Sequence, residues 1–592
     1  MEEPFSRLLS RTGWVGCLLG FSATWYFLFG LAGYVHSFWL NFSVAVVLVL
    51  STAFFLANFF AIPSQTNWIG RTVWLAILVF LLTEVILGLL PPISRDELTH
   101  HLAIPRLYAN AGRIIEVPMA PYAYYPMLLD MLYTPWVYWG YDFVSKWIHA
   151  LYAYLTGLLL YAYLARRMNA EYGLVGFFIF VSTPVIARLS HWAYIDLGVT
   201  FYTTAALLAL LRWRDKRETL GWLSLAALSL GFAFATKPNG LVVALVISFL
   251  FLLIVVQPPR KSLRWIGREM CTFGVLTLLP FLPWITKNWL QTGNPLFPLL
   301  GGFFAPPGSV PAKAVSGGFG IFAKRELLYG ENIWQMVSLP LRIFFSGQDD
   351  NPQYFDGVLT PILILLLPWA FQGKWLEEKK LLAAFALVFL LYAVFLVDLR
   401  IRYILPVVPP LVVLAVYGVF NTYLRMRRPV FLFAGFIVFA AWHGIYLWNY
   451  FTEATPLRYL SGIESRAEYL GRSLPEYASF QYINRSTAPS AKIYLLFVGR
   501  RAYYCERDYF HDGGELPGYL LGAIRAATNP DEITRALKRK QITHLMVRGN
   551  LLAEFLGHNL SANQVALWNQ FAQSRLELKF RDRGHAVYQL HG

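Results

Sequence analysis

The chain carries little charge for its size. Of its 592 residues, 14% are Asp, Glu, Lys or Arg, against about 25% in soluble domains. Hydrophobic residues make up 57% and the mean hydropathy is +0.47. That excludes an ordinary soluble domain and predicts an integral membrane protein. Cysteine is scarce as well. Cys17 and Cys271 fall in apolar runs and Cys505 stands alone, which excludes a disulfide framework. The flank GWVGC around Cys17 lacks the small-residue pattern of a lipid-attachment site, so Cys17 reads as a buried thiol. No cleavable signal peptide is expected, because the first apolar run is long and continues into a second. Neither a GxGxxG nor a P-loop pattern occurs in residues 450–592, so nucleotide binding is not expected there. The net charge of +16 does not point to nucleic acid, since much of it sits in short loops between apolar runs.

What is abundant is aromatic. Trp, Tyr and Phe together reach 17%, which suits interfacial belts and pocket linings. The apolar runs predict a polytopic α-helical membrane protein with about 13 spans, each of the roughly 17–25 residues a bilayer core requires. They lie near 13–33, 38–61, 72–91, 143–165, 172–189, 195–211, 219–236, 239–256, 266–286, 355–371, 381–397, 403–421 and 429–449. Lys and Arg concentrate in 1–12, 62–71, 166–171, 212–218, 257–269, 372–380 and 422–428, whereas the short turns on the opposite side hold only Arg188, Lys237, Arg400 and Arg402. By the positive-inside rule the N-terminus is then cytoplasmic. The loops 92–142 and 287–354 and the tail 450–592 fall outside. Two pieces of the first loop, 96–112 and 125–139, read as interfacial helices along the outer leaflet. The loop 287–354 is rich in Gly and Pro and long enough to be functional or mobile. Residues 1–449 are thus expected to form a transmembrane domain and 450–592 a small extracytoplasmic α/β domain. In the tail, 491–499 and 542–549 read as strands, 530–540 as a helix between them, and the end of the chain as a hairpin around Asp582–Gly584.

The polar stretch 93–126 sits between two apolar runs and holds Arg95, Asp96, Glu97, His100 and His101 within seven residues. Ionisable groups at a bilayer edge are costly and so are functional candidates. Asp96, with Glu97 beside it, reads either as a general base for a hydroxyl or as an acid that ends one helix and caps the next. Asp96 and His100 share a helix face at i, i+4. His100 and His101 orient the base, contact substrate or serve as structural histidines. They leave a divalent metal open, but a site needs three or more ligands and no metal site is assigned. Asp196 opens a later helix on the outer side, as a second site acid or as an acid on the helix dipole; His191 and Trp192 beside it are placed to stack on a sugar. Lys237, Lys287, Arg400 and Arg402 bring cations to the same face. They read as a phosphate grip or as snorkelling cations meeting headgroups. Glu84, inside the third span, receives no role.

The pieces DELTHHLAIPRL, YPMLLDMLY, YIDLGVTFYTTAALLALL, FATKPNGL, PWITKNWLQTGNPLFP and RIRYILPVVPPL cover most of 93–420. In their order and sidedness they resemble the GT-C-fold glycosyltransferases that use polyprenyl-phosphate sugars. The branch most similar is that of protein O-mannosyltransferases and aminoarabinose transferases. The resemblance implies Asp96 as the catalytic base, Asp196 as a second acid, and Lys237, Lys287 and Arg402 as donor-phosphate groups. It implies an inverting displacement, a polyprenyl-phosphate sugar donor (undecaprenyl phosphate in a bacterium), and a glycolipid, polysaccharide or protein acceptor. It places the enzyme in the bacterial cytoplasmic membrane, in contact with membrane lipid, and implies no firm cofactor requirement. Thr99 stands where the aminoarabinose branch commonly has Arg, and no WWD motif occurs in 450–592; these differences argue against lipid A modification and against en bloc transfer to asparagine. The rival readings are a flippase of lipid-linked sugar, against which no inverted repeat and no paired broken helices are evident, and a polysaccharide polymerase or ligase.

Overall fold

The computed structural model describes residues 2–215, 220–257, 262–304, 321–374, 376–396, 399–425, 430–513 and 516–591. Parts of the charged segments 212–218, 257–269, 372–380 and 422–428, and the stretch 305–320 of the long loop, lie outside the described residues. The chain divides into two compact units. One comprises Met1–Leu90, Ala111–Ile114 and Tyr125–Pro456, the other Pro91–Asn110, Ile115–Tyr124 and Leu457–Gly592. The boundary thus cuts through the loop 92–142.

The first unit is helical. Among the described residues, five helices are long and apolar enough to cross a membrane: Glu3–Leu31, Phe38–Gln65, Trp68–Gly88, Phe143–Arg167 and Ile401–Arg425. The number rises to seven if each of two bent pairs is one span. Most of the other expected spans coincide with the helices Leu220–Thr236, Asn239–Val255, Asp196–Asp215, Leu376–Leu396 and Val430–Ala454. Region 355–371 differs: it holds the four-residue helices Ile362–Leu365 and Leu367–Ala370, because Pro361 and Pro368 interrupt the hydrogen-bond ladder.

Two helices form the centre of this unit. Every residue from Ile148 to Arg166 and from Asp196 to Trp213 is buried, which is why these sequences are apolar on all faces and lack an amphipathic stripe. The helix Leu128–Trp139 is buried continuously from Leu128 to Pro135 and packs on Glu2–Leu31 and Phe143–Arg167. An interfacial helix would leave one face free, so the expectation for 125–139 is corrected to a helix inside the bundle.

The expectation of unbroken spans also fails at two places, and with it the expectation of no paired broken helices that counted against a flippase. Ala170–Ser182 and Pro184–Ser190 meet at 69°, and Leu263–Leu278 and Leu282–Thr292 at 55°. Pro184 and Pro280 lack the N–H that a continuous helix requires. The second break is tightly packed: a Cβ on Gly231 would lie 2.3 Å from the Thr277 carbonyl oxygen and 2.8 Å from Pro280.

The second unit is built on a five-stranded sheet. Its strands are β1 Lys492–Leu496, β2 Asp508–Phe510, β3 His544–Arg548, β4 Leu576–Asp582 and β5 His585–Leu590, in the order β2-β1-β3-β5-β4. β1 runs parallel to β2 and β3; β5 is antiparallel to both β3 and β4. The helix Pro530–Arg539 precedes β3. Alternation along the strands fills two cores. Tyr494, Leu496, Leu545 and Val547 face one side; Ile493, Leu495, Met546 and Val587 face the other, as a period of two dictates. The β4–β5 turn uses Arg583 at φ 41° and Gly584 at φ 80°, the two left-handed residues of a tight hairpin.

Candidate functional site

Asp196 is the first residue of the helix Asp196–Asp215 and is 3% exposed. Its Oδ1 accepts from Lys237 Nζ at 2.5 Å. Oδ2 is buried and has no hydrogen-bond partner among the described residues. Lys237 sits in the turn between Leu220–Thr236 and Asn239–Val255, where Gly240 N–H donates to the Lys237 carbonyl at 2.8 Å. The turn is tight because Gly240 has no side chain: a Cβ there would lie 2.2 Å from the Ala233 carbonyl oxygen. The ammonium also stands 4.8 Å from the Tyr403 ring centroid. Arg402 lies over Tyr194 at 5.1 Å and over Tyr403 at 5.2 Å, and its charge acts on Asp196 together with that of Lys237. One buried carboxylate, two cations and two tyrosines therefore converge. The arrangement carries excess positive charge in a water-poor place, which suits an anionic ligand group.

His149, which sequence reasoning missed, builds the loop that presents this cluster. It is fully buried in Phe143–Arg167. Its Nε2 accepts from the Leu197 N–H at 3.0 Å, so that nitrogen is unprotonated. Its Nδ1 faces the carbonyl oxygens of Leu189 at 2.9 Å and Trp192 at 2.8 Å, and so carries the proton. One neutral imidazole thus ties both ends of the segment 189–197. The Tyr133 hydroxyl donates to the Tyr194 carbonyl in the same segment. The available signal was a lone imidazole in an otherwise apolar run, since a buried polar group needs partners.

His191 is buried, with its ring 4.5 Å from Tyr450 and 6.0 Å from Trp192. Trp192 is half-buried and has its ring 5.3 Å from Tyr194. Lys287 is 5% exposed on the helix Leu282–Thr292 and lies 5.7 Å from the Trp284 ring. Arg400 is apart from the cluster in its bonding: it faces Asp356 at 3.4 Å. Asp356 belongs to an acid group that the sequence did not single out. Arg188 lies over the Trp192 ring at 4.6 Å and reaches Asp349 at 2.7 Å and Asp350 at 2.6 Å, while Tyr446 donates to Asp349 at 2.7 Å. The described residues of the long loop are likewise more ordered than its composition predicts. It contains the helices Ile321–Tyr329 and Ile333–Val337 and the pair Arg325–Glu331 at 2.6 Å. Arg325 and Arg342 hold the Glu331 carboxyl below its ordinary range against the cost of burial.

Asp96, Glu97, His100 and His101 belong to the second unit. Asp96 is half-buried and heads a single π-helical turn, Glu97–His101, closed by Leu102 N–H donating to the Glu97 carbonyl at 2.9 Å. The i, i+4 face expected for Asp96 and His100 is therefore replaced by a wider turn that sets residue i between i+4 and i+5; such turns recur at functional sites. Glu97 is fully buried and its Oε2 accepts from the Ser94 N–H at 2.9 Å, which makes it a capping group. His100 stacks on Tyr122 at 4.7 Å, and its ring is tilted against that of His101 at 4.0 Å. Among the described residues no three His, Cys, Asp or Glu side chains come together as a metal site.

Residues 93–290 match the family model of dolichyl-phosphate-mannose-protein mannosyltransferases. No curated protein matches the chain by sequence. Among solved structures, ArnT from Cupriavidus metallidurans in its apo state is 14% identical, with a TM-score of 0.55, covering 88% of this chain and 97% of that one. The same protein bound to undecaprenyl phosphate is 15% identical, with a TM-score of 0.52, covering 88% and 98%. The matched segment carries Asp96, Asp196, Lys237 and Lys287, and the fold is the one ArnT adopts. Over about a third of its length the chain is thus similar to that mannosyltransferase family, and its fold is similar to that of ArnT.

Proposed function

We propose that this protein transfers a sugar from a polyprenyl-phosphate donor to an acceptor hydroxyl at the outer face of a bacterial cytoplasmic membrane. In this reading the N-terminus is cytoplasmic and residues 450–592 are extracytoplasmic. The observation that carries the donor assignment is the convergence of Lys237 and Arg402 on buried Asp196; Asp196 and Lys237 lie inside the matched segment. A solved structure of the same fold holds undecaprenyl phosphate. Lys237, Arg402 and Lys287 stabilise the phosphate as the glycosidic bond to it breaks, where charge develops on the leaving oxygen. Asp196 is already committed to Lys237 through one oxygen, so its role is to position that ammonium. Asp96 heads a π-turn in the matched segment and takes the proton from the acceptor hydroxyl, whose oxygen attacks the anomeric carbon. One displacement inverts that centre. His100 lies in the π-turn that Asp96 heads and stacks on Tyr122, and His191 and Trp192 supply rings beside the Asp196 loop. Glycolipid, polysaccharide and protein acceptors all suit the chemistry.

The test is donor consumption by purified protein over a panel of polyprenyl-phosphate sugars, wild type against Asp96→Asn. Wild type consumes one donor with inversion, and the folded variant is slower by about 10²-fold or more, as expected for loss of a general base. Equal turnover by the two would remove Asp96 as the base.

A further inference from the structure

Within the second unit, the helix Ala103–Ala111 and the segment leading into β2 enclose a cavity of about 260 Å³. It is smaller than the roughly 300–1,000 Å³ of drug-sized ligand sites and has room for one small polar ring. Its walls include Arg106, Lys492, Tyr503, Glu506, Arg507 and Asp508; the Arg507 guanidinium is spent on the Asn484 and Thr487 carbonyls, which leaves two cations and two acids for a ligand. The charges alternate in sign. Arg106 and Glu506 stand 4.0 Å apart and are both partly exposed. Lys492 and Asp508 are register partners at the start of the parallel strands β1 and β2. The Tyr503 ring lies beneath Arg106 at 5.3 Å.

This lining discriminates between ligand chemistries. A phosphate would meet repulsion from Glu506 and Asp508, and a divalent cation from Arg106 and Lys492. A hydrocarbon would leave these groups desolvated without partners, which is costly. A neutral polyhydroxyl ring fits, because each hydroxyl both donates and accepts and so pairs with adjacent groups of opposite sign. The cavity is also tied to the segment bearing Asp96: Tyr503 N–H donates to the Leu98 carbonyl at 3.2 Å.

We propose that this cavity is a saccharide subsite that binds one neutral sugar ring of the acceptor, which makes the acceptor a glycan. The assignment to the acceptor rests on the glycosyltransferase function proposed above; the binding itself does not. The test is saturation-transfer NMR on the purified full-length chain in detergent, with free glucose, galactose, mannose and N-acetylglucosamine as probes and no donor present. At least one of these sugars binds saturably to wild type. Affinity falls about tenfold in Glu506→Ala, as removal of a hydrogen bond to a charged group predicts, and binding is lost in Leu107→Trp, which fills the cavity. Glu506 is exposed, so its removal leaves the fold intact if the tryptophan does not. Absence of binding by all these sugars, unchanged binding in Glu506→Ala, or displacement of the sugar by inorganic phosphate would overturn the proposal. Donor cleavage without sugar binding would remove the subsite and leave the function standing; sugar binding without donor cleavage would do the reverse.

Discussion

Asp196 and Lys237 are held 2.5 Å apart with the carboxylate almost fully buried, and a pair in that setting is asymmetric in its energetics. Losing one partner leaves an uncompensated buried charge, at a cost of about 3–5 kcal/mol, whereas replacing both by neutral groups of similar volume is close to neutral. Lys237→Ala should therefore lower the unfolding midpoint markedly, and the double variant Lys237→Met/Asp196→Asn should recover most of that loss without recovering donor consumption. Thermal unfolding and turnover on the same preparations check both halves. A double variant as unstable as Lys237→Ala would mean that the pair's hydrogen bonding, not its charge balance, is what matters. At this scale much of the cluster was legible: Asp196, Lys237 and Arg402 stood out as ionisable residues at the ends of apolar runs. His149 did not, because it sits within such a run. Asp349, Asp350 and Asp356 did not, because their partner Arg188 is more than 150 residues away in sequence and no local pattern links them.

The elements that carry the cluster are shaped by breaks in apolar helices, and such breaks are poorly visible to a window that sums hydrophobicity. The runs 172–189 and 266–286 read as single spans, yet Pro184 and Pro280 divide them. The first break leads into the short helix Pro184–Ser190 and then the loop tied by His149; the second begins the helix that carries Lys287. The buried helix Leu128–Trp139 was misjudged for a related reason: its length is that of an interfacial piece, and only its packing reveals that no face is free. The turn at Lys237 gives the sharpest prediction at this scale. A methyl at Gly240 would sit 2.2 Å from a backbone carbonyl, which cannot rotate away as a side chain can. Gly240→Ala should cost about 1–3 kcal/mol, as overpacking does, and should raise the donor KM by moving the Lys237 ammonium. A variant with unchanged KM and unchanged unfolding would show that the two helices slide apart without disturbing the turn.

At the scale of the whole chain, composition alone separated an apolar helical part from a more charged C-terminal part, because the hydrophobic effect sorts residues by environment before any local pattern matters. The strands β1 and β3 and the closing hairpin were legible from alternation and from Arg583–Gly584. That Pro91–Asn110 and Ile115–Tyr124 join the second unit was not legible, since the contacts that hold them there, such as the Tyr504 hydroxyl donating to the Pro92 carbonyl at 2.7 Å, span some 412 residues. The second unit also responds to pH in a direction that can be worked out. Burial, with Arg548 close by, pushes the His585 imidazole below its ordinary value, and burial does the same to His511; Arg548 and His585 are register partners on β3 and β5. Both histidines are neutral when folded, so the unfolded chain binds more protons below about pH 6.5. Their contribution is complete above that pH and is lost as pH falls toward the folded values, with a slope of at most about 1.4 kcal/mol per histidine per pH unit. Glu476 works in the opposite sense. Burial raises its carboxyl above the ordinary value despite Arg501 at 2.9 Å, so the folded state gains a proton on acidification and offsets part of the loss. Amide exchange in β3 and β5, corrected for the intrinsic pH dependence of exchange, should therefore show weaker protection at pH 5 than at pH 7. Glu476→Gln should steepen the difference by removing the offset. Equal protection at the two pH values in both proteins would mean that the histidines titrate alike in the folded and unfolded chain, and that neither is held neutral by its burial in the sheet.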